Sequence, residues 1–194
     1  MKLTETYPDG VTVDGRFYKL DFDFRNVLRM MEILARDDLM PDARDYLACK
    51  CLTKHPRKKV LDAARAVLFP EKGNAGSERV MSFEQDAGLI RVAFRQVYNI
   101  DLARDKLHWL EFTELLHNLP EGNRFTETVS IRARPLPTST KYNQKEREWL
   151  MKAKAQVALH KTDAEAARQY DKDVGNIFAG LMGMIKGSDK TDGK

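Results

Sequence analysis

The sequence predicts a mainly α-helical protein with a small N-terminal β-hairpin and a C-terminal helical arm. Apolar residues recur at helical spacing through most of residues 24–132, whereas residues 11–20 show strand character. Of the 194 residues, 42% are hydrophobic and 32% are charged, which suits a packed core under a polar surface. We expect a core domain (1–132), a linker (133–142), a helical arm (143–186) and a disordered tail (187–194).

The hairpin is predicted from two short apolar segments on either side of Asp14-Gly15. Val11 and Val13 precede this dipeptide, and Phe17 follows it. Both central residues of a type I′ turn need positive φ, which Asp-Gly tolerates well. Because an isolated hairpin is only marginally stable, this one must lie against helices or join another sheet.

Five helices follow in the core domain. Asp21 or Asp23 can cap the first, Pro41 and Pro56 suit the first turns of the second and third, and Ser82–Gln85 matches a capping box for the fourth. The predicted apolar faces comprise Phe24, Val27, Leu28, Met31 and Leu34; Ala43, Tyr46, Leu47 and Cys51; Val60, Leu61, Ala64, Val67 and Leu68; Phe83, Ala87, Ile90, Phe94 and Val97; and Leu107, Leu110, Phe112, Leu115, Leu116 and Leu119.

Composition changes after Arg134, where two prolines and few apolar residues predict a linker. Asn143 can cap a helix in the arm, and Thr162 can start another. Residues 173–187 carry an apolar stripe loosened by glycines, each of which costs a helix about 1 kcal/mol relative to alanine. This stripe can pack on the core domain or on a partner, and a membrane-surface role is disfavoured by its weakly cationic flank.

The order of landmarks between Ser82 and Pro120 resembles a phage tail-morphogenesis family, the gene-product-fifteen family of siphophages and prophages. The matching positions are Ser82, Phe83, Asp86, Phe94, Tyr98, Ile100, Asp101, Leu102, Leu107, His108, Trp109, Phe112, Leu115 and Leu116. The resemblance implies an assembly protein, similar to a tail assembly chaperone, whose partners are the tape-measure protein and other tail proteins. For residues 125–132, where Thr, Val and Ile favour a strand, the resemblance favours a helix.

We predict no catalytic, cofactor-binding or metal-binding residues, and hence no enzyme. Cys49, Cys51 and His55 lack a second cysteine pair to complete a zinc site, and the other histidines are scattered. A disulfide between Cys49 and Cys51 would be strained within a helix, so two reduced, partly buried thiols are expected. The first ten residues lack the apolar segment of a signal peptide, and no apolar run is long enough to span a membrane, so we expect the protein in the host cell cytoplasm.

A basic run comprises Lys50, Lys54, His55, Arg57, Lys58 and Lys59. Clustered cations can bind phosphate by releasing counterions, but cations also favour a helix C-terminus for dipole reasons alone. The run has no interleaved aromatic residue for base stacking. It therefore favours a solvated or protein-binding face over a nucleic-acid site.

The residues expected to act in assembly fall into two groups. Phe94, Trp109 and Phe112 are the predicted structural anchors, and Trp149, Phe178 and Leu181 are the predicted partner contacts. A chaperone would be absent from the mature virion and could form a homo-oligomer. Two alternatives remain open: a structural tail or connector subunit that joins a ring of sheets through the hairpin, and a DNA-binding accessory protein.

Overall fold

Two strands and seven helices form within residues 4–69 and 80–160, which are the residues that the computed structural model describes. The fold is mainly helical with a two-stranded N-terminal hairpin, as predicted. Two compact units divide the chain, Met1–Ser139 and Thr140–Lys194, and the division falls inside the predicted linker. The elements are β1 (Gly10–Val13), β2 (Arg16–Lys19), α1 (Phe24–Leu34), α2 (Pro41–Lys50), α3 (Lys58–Leu68), α4 (Ala87–Tyr98), α5 (Trp109–His117), α6 (Arg124–Ala133) and α7 (Gln144–Gln156).

The hairpin forms around the predicted Asp-Gly turn. Asp14 has a φ of 51° and Gly15 a φ of 76°, the positive values that a type I′ turn requires. The strands are antiparallel, with Val11 opposite Tyr18. Val11 and Leu20 are buried, and β1 packs against α3. Helix α3 thus provides the support that a two-stranded sheet needs.

Gly10 starts β1 at a point where no side chain fits. A Cβ atom there would overlap the carbonyl oxygen of Tyr18 and would lie 2.7 Å from Cζ of Phe17. The first of these is a backbone atom that cannot move without breaking the register of the hairpin. The close approach of the two strands at this end therefore depends on glycine.

Gly10→Ala is expected to lower the free energy of unfolding by more than about 1 kcal/mol, because the clash opens the hairpin. Gly88→Ala is the matched control: nothing lies within 4 Å of its Cβ position, and Gly88 lies in the first turn of α4. This control should raise stability, by up to about 1 kcal/mol. Urea denaturation of both variants measures the difference, and equal effects of the two substitutions would contradict the steric argument.

The beginnings of α1 and α5 are tied together through their backbones. The Phe24 amide donates to the Leu107 carbonyl at 3.0 Å, and the Trp109 amide donates to the Phe22 carbonyl at 2.8 Å. Asp23 caps α1 as predicted, since its Oδ1 accepts the Arg25 amide at 3.0 Å. These bonds place the start of α5, which carries several of the residues that match the family, beside the start of α1.

Helix α2 forms as predicted but buries a different face. Tyr46 and Leu47, expected inside, are 53% and 38% exposed, and Ala43 is exposed as well. The buried residues of α2 are Ala48 and Cys49. Because α2 packs against both α1 and α3, small side chains at the contact allow the helices to approach closely.

Helix α4 begins at Ala87, later than the predicted start at Ser82. Only half of the capping box forms as expected: Ser82 Oγ accepts the Gln85 amide at 3.3 Å. In a capping box the Gln85 side chain would accept the Ser82 amide. Here Asp86 Oδ2 accepts that amide, at 2.9 Å. The last residue of the predicted apolar face, Val97, is 36% exposed.

Residues 125–132 lie in a helix, as the resemblance predicted. Asn123 explains the choice, because its Oδ1 accepts the amides of Phe125 and Thr126, each at 3.0 Å. These two bonds satisfy amides that would otherwise be unpaired at the helix start, and so they stabilise a helix that its β-branched residues disfavour. Asn143 takes the N-cap position of α7, and its Oδ1 accepts the Thr140 amide at 2.9 Å. The predicted helix start at Thr162, the stripe at 173–187 and the tail (187–194) lie outside the described residues.

Candidate functional site

The predicted anchors meet in one aromatic cluster at the centre of the core. Phe112 stacks on Phe24 with ring centroids 4.7 Å apart and on Phe94 at 5.3 Å. Phe83 and Trp109 lie 6.1 and 5.8 Å from Phe112. Phe94 and Phe112 are fully buried, and Trp109 is 3% exposed. The motif residues on α4 and α5 thus join α1 into one rigid core.

Trp109 also fixes the end of α3. Its indole Nε1 donates to the Leu68 carbonyl at 3.3 Å, which satisfies an otherwise unpaired group at the helix C-terminus. The Phe69 ring meets the edge of Trp109 with centroids 5.6 Å apart. Phe69 is 37% exposed, so one of its sides remains at the surface. The aromatic cluster therefore positions a surface wall at the end of α3.

A groove of about 750 Å³ runs between α1 and α3. We call it the α1–α3 groove, and it is lined by Met30, Met31, Leu34, Ala35, Asp62, Arg65, Ala66 and Phe69. Methionine side chains adapt to varied apolar partners, and the charged side chains of Asp62 and Arg65 provide polar groups beside them. An apolar floor with polar side chains at its wall is typical of a site that accepts an amphipathic helix.

A second, smaller groove of about 460 Å³ lies between α4 and α6. We call it the α4–α6 groove, and it is lined by Gln85, Gly88, Leu89, Val92, Ala93, Gln96, Asn123, Arg124 and Phe125. Val92, the most exposed apolar residue there, is 53% exposed. Neither groove is apparent from the sequence, because each combines residues from helices far apart in the chain.

Asp86, one of the motif residues, forms a buried ion pair that no local sequence pattern indicates. Its Oδ2 and Oδ1 accept from Arg132 Nη1 and Nη2 at 2.7 and 2.9 Å. Arg132 Nη1 also lies 3.2 Å from the Val80 carbonyl. The side chains of Asp86 and Arg132 are only 2% and 8% exposed. This bidentate pair connects the turn before α4 to the end of α6.

His108 has a structural role at the start of α5. Its Nδ1 accepts the Leu110 amide at 3.1 Å, which makes it the N-cap and places the ring proton on Nε2. Nε2 then donates to the Pro8 carbonyl at 2.9 Å. The Tyr7 ring stacks on the imidazole at 5.0 Å, and the Tyr7 hydroxyl donates to Glu114 Oε2 at 2.7 Å. His108 therefore holds the N-terminal segment against α5.

Burial lowers the pKa of His108 below its usual value of 6.5, against smaller opposing effects of the Pro8 carbonyl and Glu111. The folded protein thus resists protonation that the unfolded chain accepts. Stability is full above pH 6.5 and falls as the pH drops from 6.5 towards the folded pKa. His108→Asn keeps an N-cap acceptor without this titration. We expect the wild type to lose more unfolding free energy than this variant between pH 7.5 and 5, and parallel losses would contradict the assignment.

The structure divides the basic run into paired and unpaired cations. Lys58 is paired with Asp45, and Lys59 Nζ lies 2.9 Å from Asp14 Oδ2. The Arg57 guanidinium instead lies over the Tyr18 ring, 5.9 Å from its centroid. The run is consequently less positive than its composition indicates, and part of it faces the hairpin.

Both cysteines are free thiols, as predicted: Cys49 is buried and Cys51 is half-buried. Burial raises the pKa of both thiols, so neither is activated as a nucleophile. Across residues 4–69 and 80–160, no group of three or more His, Cys, Asp or Glu residues could hold a metal ion. Over the same residues, none of the helices combines the length and apolar character that crossing a bilayer requires.

The predicted partner contacts are only partly described. Trp149 lies on α7 and is 56% exposed, and its neighbour Met151 is 50% exposed. Phe178 and Leu181 lie outside the described residues. Helix α7 thus carries large apolar side chains at its surface within the C-terminal unit.

Comparison with known proteins gave one family. Residues 53–159 match the family model described as bacteriophage Gp15 protein. The match runs from the connection before α3 to the residues after α7, so it includes the aromatic anchors on α4 and α5. Searches of curated proteins and of solved structures found no match.

Proposed function

The chain belongs to the bacteriophage Gp15 family, and on that premise we propose that it is a phage tail assembly protein that binds the tape-measure protein during tail morphogenesis. Its action is chaperone-like: it covers apolar stripes of the tape-measure protein before the tail tube forms around them. It works by binding and not by catalysis, in the cytoplasm of the host cell, and it is absent from the mature virion.

The α1–α3 groove is the observation that supports this role most strongly. A tape-measure protein built from amphipathic helices would present apolar residues at helical spacing, which a methionine-lined groove of about 750 Å³ can receive. Phe69 at one end is braced by Trp109 beneath it. The groove therefore offers an adaptable surface on a rigid support.

The C-terminal arm adds a second contact. Trp149 and Met151 on α7 are about half exposed and lie in the family-matched part of the chain. Two contacts on one chain raise the effective concentration at the second site once the first is made. In this proposal Phe178 and Leu181, which lie outside the described residues, also contact the partner.

A pull-down of tape-measure protein with groove variants tests the site. Ala66→Glu places a charge on the exposed wall of the α1–α3 groove. Val92→Glu places the same charge in the α4–α6 groove, again at an exposed position. We expect Ala66→Glu to weaken retention about tenfold or more, as burial of an unpaired charge requires, and Val92→Glu to leave it unchanged. Loss with Val92→Glu alone would move the site to the α4–α6 groove.

The alternative of a structural tail or connector subunit rests on the hairpin, whose two strands form the whole described sheet. Such a subunit would remain in the finished particle, whereas a chaperone leaves before maturation. Detection of the chain in purified virions by mass spectrometry, in stoichiometric amount, would favour the structural role. Its absence from virions that contain full-length tape-measure protein would favour the chaperone.

A further inference from the structure

The outer edge of β2 presents backbone groups that the hairpin does not use. The Leu20 amide donates to the Asp9 carbonyl at 2.9 Å, which makes Asp9 and Leu20 a hydrogen-bonded pair. Such pairs alternate along an antiparallel ladder, so Tyr18 and Arg16 also direct their amides at β1. Phe17 and Lys19 therefore direct their amides and carbonyls away from β1.

This edge is accessible among the described residues. Phe17 is 54% exposed and Lys19 is exposed. Within residues 4–69 and 80–160, the backbone of neither residue bonds to a segment outside the hairpin. An open strand edge pairs readily with another extended chain. Proteins therefore either shield such an edge or use it to bind a partner strand.

Cations gather around the same strand. The guanidinium groups of Arg16 and Arg57 lie 5.6 and 5.9 Å from the centroid of the Tyr18 ring. Lys19 follows directly in the strand. Among the described residues, none of these three cations forms an ion pair with a carboxylate, in contrast to Lys58 and Lys59.

The connection between α2 and α3 brings further positive charge to the end of β2. The Asp21 amide donates to the Leu52 carbonyl at 2.9 Å, which places this connection beside the strand. The connection carries Lys54, which is exposed. The nearby carboxylate of Asp14 is paired with Lys59, and Asp21 Oδ1 accepts the Asp23 amide at 3.2 Å.

We propose that the β2 edge is a docking site for an acidic, extended segment of a partner protein, which adds a third strand beside Phe17 and Lys19. Backbone bonds would supply register, and the unpaired cations would select acidic side chains. This surface is distinct from the α1–α3 groove, so the chain can engage an extended segment and a helix at separate places.

A polypeptide fits this surface better than a nucleic acid does. The outward groups of Phe17 and Lys19 alternate donor and acceptor, a pattern that only another peptide backbone repeats. Tyr18, which could stack on a base, has its ring occupied by two guanidinium groups. Phosphate groups could pair with the cations here, but they could not form the alternating backbone hydrogen bonds that set the register of a strand.

Fluorescence anisotropy with the full chain tests the proposal, using a labelled ten-residue peptide that alternates glutamate and valine. A lysine–valine peptide and a labelled 20-base-pair DNA duplex serve as comparison probes. We expect binding of the acidic peptide alone. Methylation of every second backbone nitrogen in that peptide, in one of the two possible phases, should abolish binding because it removes the ladder donors. Binding of the duplex without the acidic peptide would overturn the proposal.

Matched variants separate the charge from the strand edge. Arg16→Gln with Arg57→Gln should weaken peptide binding about tenfold, whereas Arg91→Gln with Arg124→Gln, an equal change in net charge at exposed positions on α4 and α6, should alter it less than about twofold. Lys19→Pro removes the outward amide and should bind about fivefold more weakly than Lys19→Gln, which keeps it. Equal effects within either pair would overturn the proposal, and the methylated peptide tests the same bond if Lys19→Pro unfolds.

Discussion

Asp86→Ala is expected to lower the free energy of unfolding by about 3–5 kcal/mol, because it leaves the Arg132 guanidinium buried without its carboxylate. The same substitution removes the acceptor of the Ser82 amide at the entrance to α4. The Arg132 side chain is only 8% exposed and the Ser82 amide is partly buried, so water replaces the lost carboxylate poorly. Guanidinium chloride denaturation followed by circular dichroism measures the change.

An exposed pair provides the control. Asp38 accepts from Arg36 at 2.6 Å, but both side chains are more than half exposed, so Asp38→Ala should change stability little. Replacing Asp86 and Arg132 together with leucine and methionine should recover much of the loss, since no charge is then stranded. If Asp86→Ala is as mild as Asp38→Ala, the buried pair does not hold α4 and α6 together.

Phe112→Ala is expected to cost about 3–5 kcal/mol, through the lost burial of the ring and the cavity left among Phe24, Phe94 and Trp109. With Phe83, the cavity borders four rings that stack or tilt against Phe112 in the wild type, so the site cannot collapse easily. Thermal and chemical unfolding of the purified variant provide the measurement.

Phe17→Ala is the matched control for this substitution. The same side chain is removed from a position that is 54% exposed, so no cavity forms and the change in stability should be small. Phe112→Ala should also loosen the wall of the α1–α3 groove, because Phe112 supports Trp109 and Trp109 supports Phe69. Equal unfolding midpoints for the two variants would show that the aromatic cluster is not the centre of the core.

Local patterns predicted those parts of the fold that local chemistry determines. Asp14-Gly15 supplies the turn conformation itself, and Asp23 caps α1 within two residues of its own position. Prediction failed where the answer depends on packing. The exposed Tyr46 and the buried Ala48 of α2 follow from which neighbours the helix meets, and helical spacing alone does not reveal them.

The candidate sites were harder to foresee than the core. Asp86 and Arg132 are 46 residues apart, and nothing near either residue indicates a pair. The α1–α3 groove combines Met31 with Phe69 from different helices. The basic run looked uniform in sequence, yet Asp45 and Asp14 reach its last two lysines through tertiary contacts. Such sites form only when distant parts of the sequence come together in the folded chain.

Co-expression of the tape-measure protein with and without this chain shows whether the chain keeps that protein soluble. The soluble fraction is quantified, and the complex is sized by light scattering after size-exclusion chromatography. We expect insoluble tape-measure protein alone and a soluble complex with the full chain, weakened when residues 134–194 are removed. Equal solubility of the tape-measure protein in both cases, with no complex in the eluate, would contradict the proposed role.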